Sequence, residues 1–293
     1  MQKNTKIQNK VAIFCVLSDS TKKYFNDFVQ SLTQQTYQNF QLFIYNDCEK
    51  SFTVNKYNKL LLNSPIVLRD KKIKKYNKNR IYLMNKIYKM NFIYIIFSDC
   101  DDIFSKNRVE TCIKYLRTNS IVFNQIQFLH KSRKPENKSL LNITKKYISF
   151  KDNFFGNNIG FGNSAIKLDK KILKIFNTIP DILTHDWYFY NFLFSLGFKA
   201  RFLKNVITYY RLHENSLSFS RYKNSLELFK MSVSVQLKLY ESLIKKLNEL
   251  NYKQHECLQV IENHIMSLKI KKSKPNMFSN QLNFENYLWW GLK

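Results

Sequence analysis

Short apolar segments that end in polar or acidic residues alternate with helical patterns in the first half of the chain, and this alternation constrains the fold most. In chain order they are a strand at 11–17, a helix at 24–33, a strand at 41–45, a helix at 81–88 and a strand at 92–97. Strands that alternate with helices favour a parallel sheet covered on both faces. Ligands of such sheets bind beyond the carboxyl ends of the strands. We therefore expect Asp47 and Asp99, which follow two of these strands, to share one crevice.

The second half is less regular. Its predicted elements are a strand at 121–129, a polar loop at 132–142, a helix at 186–196, a strand at 200–210, and helices at 226–250 and 255–270. Gly156, Gly160 and Gly162 are three of only five glycines in the chain, and they indicate a tight turn or a close approach to a ligand. We predict an α/β domain over residues 1–218 and a C-terminal helical extension over residues 219–293.

The chain is strongly basic, with 48 Lys and Arg against 21 Asp and Glu and a net charge of +27. This charge predicts attraction to nucleic acid, to an acidic membrane surface or to a phosphorylated ligand, although lysines scattered over a solvated surface would give the same total. A hydrophobic content of 44% excludes a mainly disordered basic tail. Because of this basic surface, one alternative is that the chain is a nucleic-acid-binding protein, or a metal-dependent nuclease or nucleotidyltransferase.

Acidic residues are scarce, yet Asp99, Asp101 and Asp102 occupy three of four consecutive positions directly after an apolar strand. Clustered carboxylates repel one another unless a cation or protons neutralise them. Oxygen ligands at this spacing suit Mg²⁺ or Mn²⁺ bridged to a diphosphate. The alternatives are a solvated turn at the strand end, or an N-cap, for which Asp102 is the candidate, of a helix that begins at Ile103.

Five segments in order resemble the family 2 glycosyltransferases of the GT-A fold. They are SLTQQTYQNFQLFIYND at 31–47, the pair Asn79 and Arg80, IIFSDCDDIF at 95–104, THDW at 184–187 and YYRLHENSLS at 209–218. The last segment resembles the ending of many bacterial rhamnosyl- and other polysaccharide transferases. The resemblance implies a Rossmann-like mixed α/β sheet flanked by helices, with a C-terminal helical extension.

The same resemblance implies an inverting glycosyltransferase. Its donor would be a nucleotide-diphosphate sugar, and its acceptor a hydroxyl of a glycan or lipid-linked saccharide in bacterial surface polysaccharide synthesis, such as lipopolysaccharide or capsule. Asp47 would contact the base, and Asp99 the ribose or the metal. Asp101 would hold Mg²⁺ or Mn²⁺ in this DxD motif, and Arg80 would lie near the phosphates.

On the acceptor side, the resemblance makes Asp186 the general base, which takes the proton of the attacking hydroxyl. Asp186 could equally be the N-cap of the following helix. Trp187 would desolvate this acid and stack on a sugar ring. His213 would reach the diphosphate or the metal, although a lone histidine is commonly structural.

The apolar runs at 11–17 and 92–97 are too short to span a bilayer. The five cysteines show no Cys-x-x-Cys spacing, which favours reduced thiols in the cytoplasm. The C-terminal helices either pack on the catalytic domain or contact an anionic membrane through their lysines and the Trp289-Trp290 end. We therefore expect a cytoplasmic protein, which the second alternative would place peripherally on the inner face of the cytoplasmic membrane.

Overall fold

The computed structural model describes residues 10–49, 53–70, 73, 76–129, 135–213, 225–251 and 255–275. The chain forms two compact units, and each is assembled from separate stretches. The first comprises Met1–Tyr147, Phe161–Asn177 and Lys199–Arg211, and the second comprises Ile148–Gly160, Thr178–Phe198 and Leu212–Lys293. The predicted domain boundary at residues 218 and 219 lies outside the described residues.

The first unit is built on a mixed sheet. Its strands are β1 (Val11–Leu17), β2 (Gln41–Asn46), β3 (Ile66–Leu68), β4 (Tyr94–Phe97), β5 (Ile103–Phe104), β6 (Ile121–Leu129), β7 (Pro135–Ser139), β9 (Ser164–Lys167) and β10 (Ala200–Arg211), while the two-residue strand β8 (Tyr147–Ile148) lies at the unit boundary in the chain. The order across the sheet is β3-β2-β1-β4-β9-β6-β10-β5, and β7 pairs with β6.

Strands β3, β2, β1 and β4 run parallel to one another, as do β6 and β10. Strand β9 is antiparallel to both β4 and β6, and β5 is antiparallel to β10. The predicted mixed α/β fold is therefore confirmed. The predicted polar loop at 132–142 is wrong in part, because β7 pairs there with β6 in antiparallel fashion.

Eight α-helices occur in the described residues. They are α1 (Phe25–Thr33), α2 (Tyr76–Lys89), α3 (Arg108–Leu116), α4 (Phe150–Asn153), α5 (Lys170–Phe176), α6 (His185–Ser195), α7 (Ser225–Glu249) and α8 (His255–Ser273). In the first unit, α1 buries Phe25, Phe28, Val29 and Leu32. These residues are spaced i, i+3, i+4 and i+7, so they form one apolar stripe that joins β1 and β2 in the core. Each large side chain buried in this way stabilises the fold by about 1.5–3 kcal/mol.

The second unit is helical and contains α4, α6, α7 and α8. Helix α6 is buried along almost its whole length, which is typical of a helix in the middle of a bundle. Tyr240 of α7 packs against Trp187 of α6 and His264 of α8, with ring centroids 6.1 Å and 4.8 Å away. Across the described residues, we find no helix that combines the length and the apolar composition needed to cross a membrane.

Candidate functional site

Residues 99–102, three of which are aspartates, form a loop that leaves the carboxyl end of β4, and we call it the acidic loop. Ser98 anchors its start, since both its backbone N–H and its hydroxyl donate to the carbonyl oxygen of Phe14 at 3.0 Å. The loop then continues into strand β5, and the next helix begins only at Arg108. The interpretation of Asp102 as a helix N-cap is therefore wrong.

Helix α2 contacts acids at two strand ends, by a hydrogen bond at one and an ion pair at the other. The side chain of Asn79 hydrogen-bonds to Asp47, which follows β2. The next residue, Arg80, places Nη2 3.7 Å from Oδ1 of Asp99, which lies just beyond β4. Strand β1 lies between β2 and β4, so the two acids flank the carboxyl end of β1. The structure therefore brings Asp47, Arg80 and Asp99 together at one end of the sheet, as the expected crevice requires.

The ionisation of Asp47 is controlled by opposing effects. Loss of solvent around its carboxyl group raises the pKa. The hydrogen bond from Asn79 and the charges of Arg80 and Arg69 act in the opposite direction. The Asp47 carboxyl group therefore has one donor and two positive charges near it, and the residue is exposed to solvent.

Two residues that sequence reasoning missed fix the segment that carries Asp47. Oδ2 of Asp19 accepts the backbone N–H of Glu49 at 2.8 Å. Nη2 of Arg69 donates to the carbonyl oxygens of Cys48 and Glu49 at 2.7 and 3.0 Å. Because each contact joins segments that are distant in the sequence, no local pattern indicates them.

Asp102 is the buried member of the acidic loop, with 0% exposure. Its Oδ1 accepts the backbone N–H of Arg211 at 3.0 Å. Its Oδ2 is buried and has no hydrogen-bond partner among the described residues. Burial, and then the charges of Asp101 and Asp99, raise the pKa of this carboxyl group well above its ordinary value.

Gly162 lies against two of these carboxylates. A Cβ atom added at this position would be 2.9 Å from Oδ2 of Asp99 and 3.2 Å from Oδ2 of Asp102. The sequence predicted a tight turn or a ligand contact for the glycine cluster, and at Gly162 the close neighbours are the carboxylates themselves. Oxygen atoms from two acids therefore converge on a point where no side chain intervenes.

The described residues include no group of three His, Cys, Asp or Glu side chains placed to hold a metal ion by themselves. This does not conflict with Mg²⁺ or Mn²⁺, because such ions are usually held by one or two carboxylates together with substrate phosphates. The buried Oδ2 of Asp102 and Oδ2 of Asp99 both face Gly162, so two hard oxygen atoms lie beside a position that no side chain fills. The residues present therefore fit a divalent ion whose other ligands come from a diphosphate.

Asp186 belongs to the second unit, where it is the second residue of α6. The N-cap of this helix is Thr184, so Asp186 is not the cap. Its Oδ1 accepts the N–H of Trp187 at 2.7 Å, and Nδ2 of Asn157 lies 3.4 Å from its Oδ2. The carboxylate is thus held by two donors at the positive end of a helix.

Trp187 and His213 are both buried in the second unit. Trp187 is 0% exposed, and its indole N–H donates to the carbonyl oxygen of Asn153 at 2.9 Å. A sugar contact through its ring would require the ring to become exposed. His213 follows β10, and the rest of its sequence motif, residues 214–218, lies outside the described residues.

The comparisons with known proteins agree with this architecture. The family model "Glycosyl transferase family 2" matches residues 13–176, which is more than half of the chain. An Escherichia coli protein, UDP-Glc:alpha-D-GlcNAc-diphosphoundecaprenol beta-1,3-glucosyltransferase WfaP, is 26% identical over 219 residues, which cover 74% of this chain and 83% of the relative. The dTDP-rhamnosyl transferase RfbG of Shigella flexneri is 24% identical over 202 residues, which cover 64% and 68%.

Solved structures show the same fold. The S. aureus TarS fragment 1-349, determined in complex with UDP-GlcNAc, superposes with a TM-score of 0.62 at 16% identity, over 96% of this chain and 78% of that one. A longer TarS chain is covered over only 46% of its length. The nucleic-acid-binding alternative finds no support in these comparisons. Since the family model matches more than half of the chain, the chain belongs to glycosyl transferase family 2, and with these relatives it is a glycosyltransferase that uses a nucleotide-sugar donor.

Proposed function

We propose that the chain transfers a sugar, with inversion, from a nucleotide-diphosphate donor to a hydroxyl of a glycan or lipid-linked saccharide in bacterial surface polysaccharide synthesis. The observation that carries the proposal is the pair of contacts from α2, Asn79 to Asp47 and Arg80 to Asp99, at the carboxyl end of β1. The class of donor is supported by WfaP and RfbG, which are a UDP-Glc-dependent glucosyltransferase and a dTDP-rhamnosyl transferase, and a lipid-linked acceptor is supported by the diphosphoundecaprenol acceptor of WfaP.

Three residues of the first unit, Asp47, Asp99 and Arg80, are proposed to bind the donor. Asp47 accepts hydrogen bonds from the base, and Asp99 accepts them from the ribose hydroxyls. Arg80 is buried and carries a fixed positive charge beside Asp99, so it is suited to hold the diphosphate. These contacts orient the donor so that its anomeric carbon is open to attack.

Asp101 and Asp99 would hold Mg²⁺ or Mn²⁺ in this site. A bound divalent ion supplies electrostatic stabilisation of the charge that grows on the departing diphosphate. GalNAc-T7, a structural neighbour with a TM-score of 0.51 at 10% identity over 73% of this chain and 46% of that one, was crystallised with UDP, GalNAc and Mn²⁺. His213 is a further candidate for the diphosphate or the metal.

Asp186 is the proposed general base. Its carboxylate would take the proton of the acceptor hydroxyl as that oxygen bonds to the anomeric carbon and the bond to the diphosphate breaks. The two donors on this side chain, the N–H of Trp187 and Nδ2 of Asn157, fix its direction. Trp187 is proposed to shield the acid from water, since its buried ring adjoins Asp186 in the chain.

Thermal denaturation with ligand panels tests the donor class. We expect UDP-, dTDP- or other nucleotide-sugars with Mn²⁺ to raise the Tm, because a ligand that binds only the folded state stabilises it. At one hundred times Kd the gain is about 2.7 kcal/mol. Single-stranded DNA at equal phosphate concentration is the matched comparison. Stabilisation by the DNA but by none of the nucleotide-sugars would contradict the proposal.

The C-terminal region is proposed to contact an anionic membrane. Met266 and Ile270 of α8 are 58% and 57% exposed, and they lie one helical turn apart. The lysines around them are Lys269, Lys271, Lys272 and Lys274. Lysines near an anionic surface contribute about 1 kcal/mol each. The Trp289-Trp290 end lies outside the described residues.

Vesicle flotation tests this contact. We expect the protein to float with phosphatidylglycerol vesicles at low salt, and the double variant Met266→Asp with Ile270→Asp to lose most of that binding. Leu250→Asp is the matched control, since Leu250 is also exposed, at 47%, but directly follows α7 rather than lying on α8. Equal flotation of both variants would argue against α8 as the contact surface.

A further inference from the structure

Arg211 binds the acidic loop at two consecutive residues. Its backbone N–H donates to Oδ1 of Asp102 at 3.0 Å. Its side-chain Nε donates to the carbonyl oxygen of Asp101 at 2.8 Å. One residue therefore fixes the side chain of Asp102 and the main chain of Asp101 at the same time.

The far end of the same guanidinium is anchored in α1. Nη2 of Arg211 forms an ion pair with Oδ2 of Asp27 at 3.0 Å, and the two side chains are only 5% and 10% exposed. The guanidinium also lies over the ring of Tyr24, 4.6 Å from its centroid. Buried pairs of this kind tolerate little displacement, because moving one partner leaves the other charge desolvated and unpaired.

The start of the loop is held by a second buried arginine. Nη2 of Arg108 donates to the carbonyl oxygen of Phe97, the last residue of β4, at 2.9 Å, and its Nε donates to Oδ1 of Asn124 at 3.0 Å. Arg108 thus fixes the strand that leads into the acidic loop, and Arg211 fixes the loop itself. The main chain that leads into and carries Asp101 is therefore held by two buried arginines.

Only the forked guanidinium can make these contacts together. Arginine presents Nε and Nη2 to two acceptors at once, whereas lysine has a single nitrogen at the end of its chain. A lysine at position 211 keeps the positive charge, but it can bind either the Asp101 carbonyl or Asp27, and not both in the same geometry.

We infer that Arg211, held by Asp27, is a positioning residue that fixes Asp101 for binding of the divalent ion and the donor diphosphate. The inference rests on the proposed metal role of Asp101. It adds a residue that acts through the main chain of Asp101, and whose side chain contacts the Asp101 carbonyl, Asp27 and the ring of Tyr24. Partners that orient metal ligands in this way typically change metal affinity by about 10–100-fold when they are mutated.

The test measures Mn²⁺ binding directly, by loss of the free-ion electron paramagnetic resonance signal, in the presence of UDP and of dTDP. We expect Arg211→Lys to weaken the apparent Mn²⁺ affinity about tenfold, and Asp27→Asn to weaken it less. Arg201→Lys is the matched control, because Arg201 is on the same strand but stacks on Tyr115 with its guanidinium 3.8 Å from the ring centroid. It should bind Mn²⁺ like the wild type.

Amide hydrogen exchange supplies the second measurement, and it needs no metal. We expect residues 98–104 to exchange faster in Arg211→Lys and in Asp27→Asn than in the wild type or in Arg201→Lys. If Arg211→Lys fails to fold, Asp27→Asn alone decides the outcome. This variant removes the negative charge that pairs with Arg211, while the asparagine side chain has nearly the same shape as the aspartate.

Asp101→Asn separates the two levels of the hypothesis. If the wild type binds Mn²⁺ no better than Asp101→Asn does, the proposed metal site fails. If Asp101→Asn loses Mn²⁺ while the Arg211 and Asp27 variants match the wild type in both binding and exchange, the positioning role is overturned. Faster exchange with weaker Mn²⁺ binding in these two variants supports it.

Discussion

Asp186→Asn is expected to lower the rate of sugar transfer by about 10²–10⁴-fold, which is the range that a positioned general base contributes. Asparagine has nearly the same shape, and its oxygen can still accept the N–H of Trp187. It cannot take a proton from the acceptor hydroxyl. Loss of the negative charge at the start of α6 costs only about 0.3–1 kcal/mol of stability, so the protein should remain folded. The measurement is single-turnover transfer, with the Tm recorded in parallel.

Asp169→Asn is the matched control for this variant. Asp169 is also an aspartate at a helix start, and its Oδ1 caps α5 by accepting the N–H of Ile172 at 2.8 Å. If Asp186 served only to support its helix, the two variants would have similar, nearly wild-type activity. Transfer by Asp186→Asn within twofold of the wild type would remove it from the role of base.

Asp101→Asn is expected to reduce metal-dependent transfer by about 100-fold or more, because the charge on the departing diphosphate would then lack part of its stabilisation. The substitution preserves the backbone, so the bond from Arg211 Nε to the Asp101 carbonyl oxygen can persist. The loss should therefore come without a large change in Tm. Transfer is assayed over a series of Mn²⁺ concentrations, with and without a chelator.

Glu110→Gln serves as the comparison for this second variant. Glu110 lies in α3, where its carboxylate accepts a hydrogen bond from the hydroxyl of Thr36 at 2.6 Å. Glu110→Gln therefore removes one negative charge from the same unit without touching the acidic loop. We expect it to titrate with Mn²⁺ like the wild type. Transfer that proceeds undiminished in excess chelator would show that the reaction needs no divalent ion, and Asp101 would lose its proposed role.

Strands that begin with a run of apolar residues could be predicted from the sequence. Strands β1 and β6 have the predicted bounds, because no polar residue interrupts β1 and because β6 begins with three buried apolar residues. Short strands such as β3 and β9 carry too few residues for any periodicity to appear. They form because neighbouring strands pair with them through hydrogen bonds. Such pairing depends on the tertiary structure and cannot be recognised in a short stretch of sequence.

The same division holds for the candidate site. Asp47, Arg80 and Asp99 lie in short motifs, so the sequence indicates them. Arg211 also lies within a recognisable motif, but its partner Asp27 is 184 positions away, and a contact over that distance leaves no local pattern. The burial of Asp102 was missed for the same reason. Its carboxylate accepts the backbone N–H of Arg211 at the end of β10, which is distant in the sequence.

Gly162 restricts how this protein can diversify. The backbone there cannot retreat from the acidic loop, because its carbonyl oxygen accepts the hydroxyl of Thr208 at 3.2 Å and the adjacent Asn163 donates to the carbonyl oxygen of Asn124 at 3.0 Å. Any larger residue would press directly on Asp99 and Asp102. Altered donor preference must therefore be sought elsewhere. The segment after β2 is held by the side chains of Asp19 and Arg69, and we expect substitutions there to change donor preference while Asp99 and Asp102 keep their places.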